Sequence, residues 1–206
     1  MQKIINVEIY ADIICPWCFI GKKRLDKAFL MRPNITPRYI WRCFLLNPRM
    51  PRVGMDRQDY LNGKFGHEKK TIYSQIAAAG IESGINFNFD LIQRTPDSRV
   101  PHRYILAANE LGCDLSDTFF EAYFLDGKDI GDYHILNNIV EKKGLKLDLN
   151  EEICARIDKK MENDLNFAKQ FRIDGVPYIV FEEQYSIAGA HKPEHIIPVI
   201  DAASSN

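Results

Sequence analysis

No run of about 18 consecutive apolar residues occurs in this 206-residue chain, so nothing in it reads as a membrane-spanning helix. The N-terminal "MQKIINVEIYADIICPWC" carries a lysine but lacks an apolar stretch of signal-peptide length and a small-residue cleavage site. A cytoplasmic protein is therefore expected. Charge of one sign is not in excess: 27 Lys and Arg stand against 28 Asp and Glu, interspersed along the chain. Neither a nucleic-acid partner nor an anionic membrane surface is expected from that balance. Cysteine is scarce, with five in all, and Cys43, Cys113 and Cys154 are far apart, a poor fit to a secreted disulfide framework. The histidines His67, His102, His134, His191 and His195 offer no His-x-x-His spacing, and there is no second cysteine pair. No metal site is expected on those grounds. Internal repeats and low-complexity segments are absent as well.

Against that background one close pair stands out, the "CPWC" of residues 15–18. Before it, "VEIYADII" is rich in β-branched and aromatic residues and reads as a buried strand; after it, Leu25, Ala28 and Phe29 recur at helical spacing. The pair thus lies where a strand enters a helix, and Pro16 suits the first helical turn. A second strand is read in "RYIWRCF", with Tyr39, Trp41 and Cys43 on one face. Beyond the proline-rich "LLNPRMPRVG" about a hundred residues read as helix after helix, the first capped by Asp56 and weakened at Gly63 and Gly66. The cluster Phe119, Phe120, Tyr123 and Phe124 reads as core, and Lys64, Lys69 and Lys70 as a solvated face. Sheet texture returns in "VPYIVFEEQYSIAG", two strands joined at Glu183 and Gln184, and a last helix starts near Pro193 with Pro198 inside it, expected to be short or kinked. Strand, helix, strand, helical block, strand, strand, helix is the order of an α/β thioredoxin-like fold with a helical domain inserted into the core. Residues 1–55 and 172–206 form the expected core and 56–171 the insert.

Two thiols two residues apart at a helix start can close a small disulfide ring, and the first faces backbone N–H groups that favour an anion. Cys15 reads as the exposed nucleophile and Cys18, one turn deeper, as the resolving thiol. What the surroundings of such a thiol tune follows from magnitudes. Lowering a thiol pKa from about 8.5 to about 6 raises the thiolate fraction at pH 7 roughly 30-fold, while intrinsic nucleophilicity falls about 13-fold. The same shift makes the disulfide more oxidising by about 70 mV. Redox poise responds far more than speed. Asp12, three residues before Cys15, reads either as a turn residue or as an acceptor for the Cys18 proton, and Trp17 either as a substrate contact or as packing. Later in the chain Val176-Pro177 opens a strand without a ladder donor, which leaves backbone groups free to hold a partner segment.

"CPWC" after an apolar strand, with "GVPYIVF" and "YSIAGAHKPE" much later, resembles the DsbA-like thioredoxin-fold proteins and within them the FrnE-like cytosolic branch. "DIICPWCFIGKKRL", "FLLNPRMPRVGMDRQDYL", "HRYILAA" and "FFEAYFLDGKDIGDYHIL" extend the resemblance over nearly the whole chain. It implies a thiol-disulfide oxidoreductase acting on protein or small-molecule substrates, with Cys15 and Cys18 as the redox pair, Pro16 and Trp17 as the dipeptide between them, and Pro177 in cis after Val176. No tightly bound cofactor is implied. Two positions depart from the branch: Asp97-Ser98 stands where Asn-Thr is usual, ahead of His102 and Arg103, and His191 stands where Gln is common. Because the branch is similar to kappa-class glutathione transferases and hydroxychromene carboxylate isomerases, a glutathione-dependent isomerase or transferase is the alternative. Glutathione as co-substrate would then meet Asn47, Val176, Gly189, Ala190 and His191. A homodimer is compatible with the resemblance, and a chaperone without redox chemistry is the third reading.

Overall fold

The computed structural model describes residues 2–205; residues 1 and 206, the outer ends of the expected core, lie outside them. The first strand, β1 (Lys3–Ala11), leads into α1 (Pro16–Leu30), which returns to β2 (Ile35–Cys43). Six helices follow before the sheet resumes: α2 (Arg57–Phe65), α3 (Lys69–Glu82), α4 (Arg99–Glu110), α5 (Ser116–Phe124), α6 (Tyr133–Lys142) and α7 (Glu151–Gln170). Two short strands, β3 (Met55–Asp56) and β4 (Arg94–Thr95), pair with each other within this block. The chain ends with β5 (Tyr178–Phe181), β6 (Tyr185–Ala188) and α8 (Pro193–Ala203). Among the described residues no helix is long and apolar enough to cross a membrane.

The main sheet has the order β2-β1-β5-β6. β1 runs parallel to β2, pairing Val7 with Tyr39 and Ala11 with Cys43, and antiparallel to β5, pairing Val7 with Phe181 and Tyr10 with Tyr178. A strand flanked on both sides must bury both faces, and the alternation of β1 does this. Val7, Ile9 and Ala11 join the principal core with α1 and α8, while Tyr10 packs on the opposite face with Ala168 and Ile173 and stacks on Phe167 at 5.5 Å. That principal core also takes in Phe119, Phe120, Tyr123 and Phe124 of α5. The insert and the sheet therefore share one continuous apolar interior.

Local chemistry explains most element ends. Asp56 caps α2 by accepting the N–H groups of Gln58 (2.7 Å) and Asp59 (3.1 Å), as its position implied. Gly66, at φ 52°, divides the long helical reading into α2 and α3, since only glycine enters that region without steric cost. The joint between β5 and β6 differs from the sequence expectation by one residue: Glu182 and Glu183, both at positive φ, form the turn, and the Gln184 N–H closes it on the Phe181 carbonyl. α8 spans Pro198 and still runs 11 residues.

Candidate active site

β1 ends at Ala11, three residues earlier than the apolar run, because Asp12, Ile13 and Ile14 turn the chain toward α1. The Cys15 N–H closes that turn on the Asp12 carbonyl at 2.9 Å. Cys15 stands at the N-cap of α1 with extended backbone, Pro16 takes the first helical position, and neither a capping side chain nor an acid is present in the first turn. The thiol is thus the side chain at the end of α1 where backbone N–H groups favour negative charge.

Cys15 is only 4% exposed and Cys18 1%, which corrects the expectation of an open nucleophile. The cause is the segment before β5. Its Val176-Pro177 peptide is cis, and the Val176 carbonyl accepts the Cys15 thiol at 3.9 Å. Trp17 is the part of the motif that faces solvent. The Cys18 thiol contacts Cys15, and its pKa is pushed well above the ordinary thiol value, first by burial and then by Cys15. Both cysteines are free thiols. One pair member is therefore against the neighbouring loop and the other is held protonated in the interior.

Asp12 is fully buried and ties three segments together. Its Oδ2 accepts the Leu46 N–H (2.7 Å), and its Oδ1 accepts the Ile14 N–H (3.3 Å) and lies 3.7 Å from His102 Nε2. His102, on α4, is buried completely. Its Nδ1 accepts the indole N–H of Trp41 (2.9 Å), and its Nε2 faces the Phe44 carbonyl at 3.2 Å. An indole N–H can only donate, so Nδ1 carries no proton and Nε2 holds it. His102 thus clamps the ends of β1 and β2 to the insert. Arg103, its neighbour, turns outward to a two-pronged ion pair with Asp158 (2.7 Å each). The departure at Asp97 is answered locally, since that buried carboxylate accepts from Arg99 at 2.7 Å.

The remaining sequence-derived residues are placed unequally. Val176 and Gly189 line a cavity of about 380 Å³ with Tyr178 and Ala188, and the Gly189 N–H donates to the Pro177 carbonyl at 2.8 Å. The Ala190 carbonyl accepts Arg24 Nη1 (2.6 Å), and the ring of His191 turns toward the Ala188 carbonyl (2.9 Å). Asn47 adjoins Leu46 at the Asp12 turn, but its amide donates to the Tyr60 hydroxyl of α2 at 2.9 Å. Sequence reasoning missed Gly21. A Cβ there would lie 2.6 Å from Pro177 Cγ and 3.6 Å from Ala190 Cα, so this glycine lets α1 approach the Val176-Pro177 loop. Its position three residues after Cys18, inside a helix, was the available signal. Among the described residues no group of three or more His, Cys, Asp or Glu could hold a metal ion.

A four-stranded sheet with a thiol pair at the start of α1 and a cis-proline opposite defines the thioredoxin class. Within it, the model of the DSBA-like thioredoxin domain matches residues 6–198. The chain belongs to the DsbA-like thioredoxin family, whose members are oxidoreductases and isomerases. A probable DsbA oxidoreductase from Streptomyces coelicolor has 25% sequence identity and a TM-score of 0.81, over 98% of this chain and 91% of its own. A 2-hydroxychromene-2-carboxylate isomerase (TM-score 0.64, over 96% of this chain and 93% of its own) shares the fold at 16% identity. So does the cytosolic disulfide reductase DsbM from Pseudomonas aeruginosa, solved with GSH (TM-score 0.58, 97% and 96%), again at 16% identity.

Proposed function

We propose that the protein is a thiol-disulfide oxidoreductase working through Cys15 and Cys18 on protein or small-molecule disulfides. The supporting observation is the asymmetry of the pair. Cys15 stands at the N-cap of α1 against the Val176 carbonyl, while Cys18 lies behind it with a thiol that holds its proton. In the reducing direction the Cys15 thiolate attacks a substrate disulfide, forming a mixed disulfide and releasing one substrate thiolate. Cys18 then loses its proton to solvent or to that thiolate and attacks the Cys15 sulfur. The second substrate thiol departs and the Cys15–Cys18 disulfide remains, two electrons having passed to the substrate. The reverse sequence oxidises a dithiol. Asp12 has a positioning role, since its oxygens already accept two backbone N–H groups and hold the turn before Cys15.

The substrate segment lies along Val176, Gly189 and Ala190, beside Pro16, Trp17 and Pro177. The reaction needs no tightly bound cofactor, and one close cysteine pair among scattered single cysteines fits a reducing, cytoplasmic compartment. Glutathione as co-substrate is the second reading, favoured by the likeness to a fold solved with GSH; Asn47 and His191 would have to leave Tyr60 and Ala188 to reach it. The test equilibrates the protein across reduced-to-oxidised glutathione ratios and counts free thiols by mass spectrometry, with Cys18→Ser alongside. A two-electron transition at Cys15 and Cys18, and glutathione trapped on Cys15 in the variant, is the expected result. If no disulfide forms at any ratio and glutathione binds without a covalent bond, the isomerase or transferase reading replaces this one.

A further inference from the structure

The insert holds a cation that the chemistry of the thiol pair does not use. Arg57, the first residue of α2, is 3% exposed. Its Nη1 donates to Thr95 Oγ1 (3.1 Å) and the Tyr123 hydroxyl (3.3 Å), and its Nη2 to the Tyr73 hydroxyl (2.7 Å). All three acceptors are neutral oxygens, and among the described residues no carboxylate forms an ion pair with this guanidinium. Its Nε–H is buried and has no hydrogen-bond partner among the described residues. The rings of Tyr60, Tyr73 and Tyr123, at 5.5 to 6.0 Å from the guanidinium carbon, soften the cost of the buried charge but leave that N–H unused.

Arg57 lines a cavity of about 780 Å³, within the span of a small-molecule site. Leu61, Ala77, Phe87 and Phe89 supply its apolar wall. Lys69 and Lys70, which the sequence suggested were a solvated face, stand at its edge with one acid, Asp90. Among the described residues Lys69 donates to the side chains of Gln58 and Asn62. Toward the Asp12 turn, Asn47 donates to the Tyr60 hydroxyl, and the Tyr60 ring faces the Arg57 guanidinium.

We infer that this cavity binds a small amphipathic carboxylate, its anion on the guanidinium of Arg57 and its apolar body against Phe87 and Phe89. A carboxylate supplies the ionised acceptor that a buried arginine with a spare N–H lacks, and such charge-assisted bonds are the strong ones. That such an acid is also the thiol or disulfide partner of Cys15 rests on the thiol-exchange reading; that it binds does not.

The probe is 4-phenylbutyrate, with its neutral amide as control, titrated by calorimetry into the full-length protein and into Cys15→Ser/Cys18→Ser. The acid should bind both proteins alike in the millimolar range or tighter, and the amide about tenfold more weakly, the effect of one charge-assisted hydrogen bond. Arg57→Lys should lose about the same factor for the acid and leave the amide unchanged. Equal binding of acid and amide to the unmodified protein, or no heat from either, overturns the inference without needing any variant to fold. Because the double serine variant has no redox chemistry, binding there stands even if the glutathione series shows no disulfide. Loss of binding only in that variant would show that the thiols, not Arg57, hold the acid.

Discussion

Asp164 of α7 accepts the Cys43 N–H at 2.9 Å and lies 3.4 Å from Arg42, yet burial lifts its carboxyl above the usual range against those two favourable partners. A carboxyl raised in the folded state binds its proton more tightly than the unfolded chain does. Its contribution to stability is therefore largest at acid pH and is lost as pH rises through its folded value. Asp164→Asn keeps an acceptor for Cys43 and cannot ionise. Its melting temperature should gain on the wild type between pH 4 and pH 7; a constant offset would refute the burial argument. His102 predicts the opposite kind of failure. His102→Ala strands the Trp41 N–H and the Phe44 carbonyl in the interior, and should lower the unfolding free energy by about 2 kcal/mol or more, read from the urea midpoint. The partners of His102 and Arg57 come from β2, β4, α3, α5 and the segments just after β1 and β2, which is why neither role was legible in sequence. The placement of Cys15 and Cys18 at the start of α1 was legible because it follows from local spacing, and the cis peptide at Pro177 followed from the family resemblance.

At the scale of elements, the close packing of α1 on the Val176-Pro177 loop turns on Gly21. Alanine at a helix interior normally gains about 1 kcal/mol over glycine, but here the new methyl would overlap Pro177, a cost of about 1–3 kcal/mol. Gly21→Ala should therefore destabilise the protein and slow thiol exchange together. A higher melting temperature with normal exchange would show that the loop yields and that the approach is not required. The element order was readable from periodicity, since strand and helix periods differ sharply here. The ends of β1 and of the β5-β6 hairpin were not. An apolar run does not reveal that Asp12 is bound by Leu46, nor that two glutamates occupy a turn that glycine would suit better.

For the whole molecule, the division expected from the sequence, a core of residues 1–55 and 172–206 and an insert of 56–171, is one of chain order, while among the described residues the apolar interior runs through both parts. Phe19 of α1 stacks on Phe120 of α5 at 5.1 Å, and Trp41 of β2 meets the same ring edge-on at 5.9 Å. A shared interior melts as one unit. Tryptophan fluorescence and the far-ultraviolet helix signal should give coincident urea transitions; two separated midpoints would mean that the insert folds independently. The central position of β1 carries a further consequence, for the chain as it is being made. β1 acquires its parallel neighbour almost at once, but Tyr10 waits for Tyr178, roughly 170 residues later, or about ten to thirty seconds of synthesis. Throughout that interval the nascent chain presents an unpaired strand edge beside two thiols, the time when a chaperone or a stray disulfide would find it.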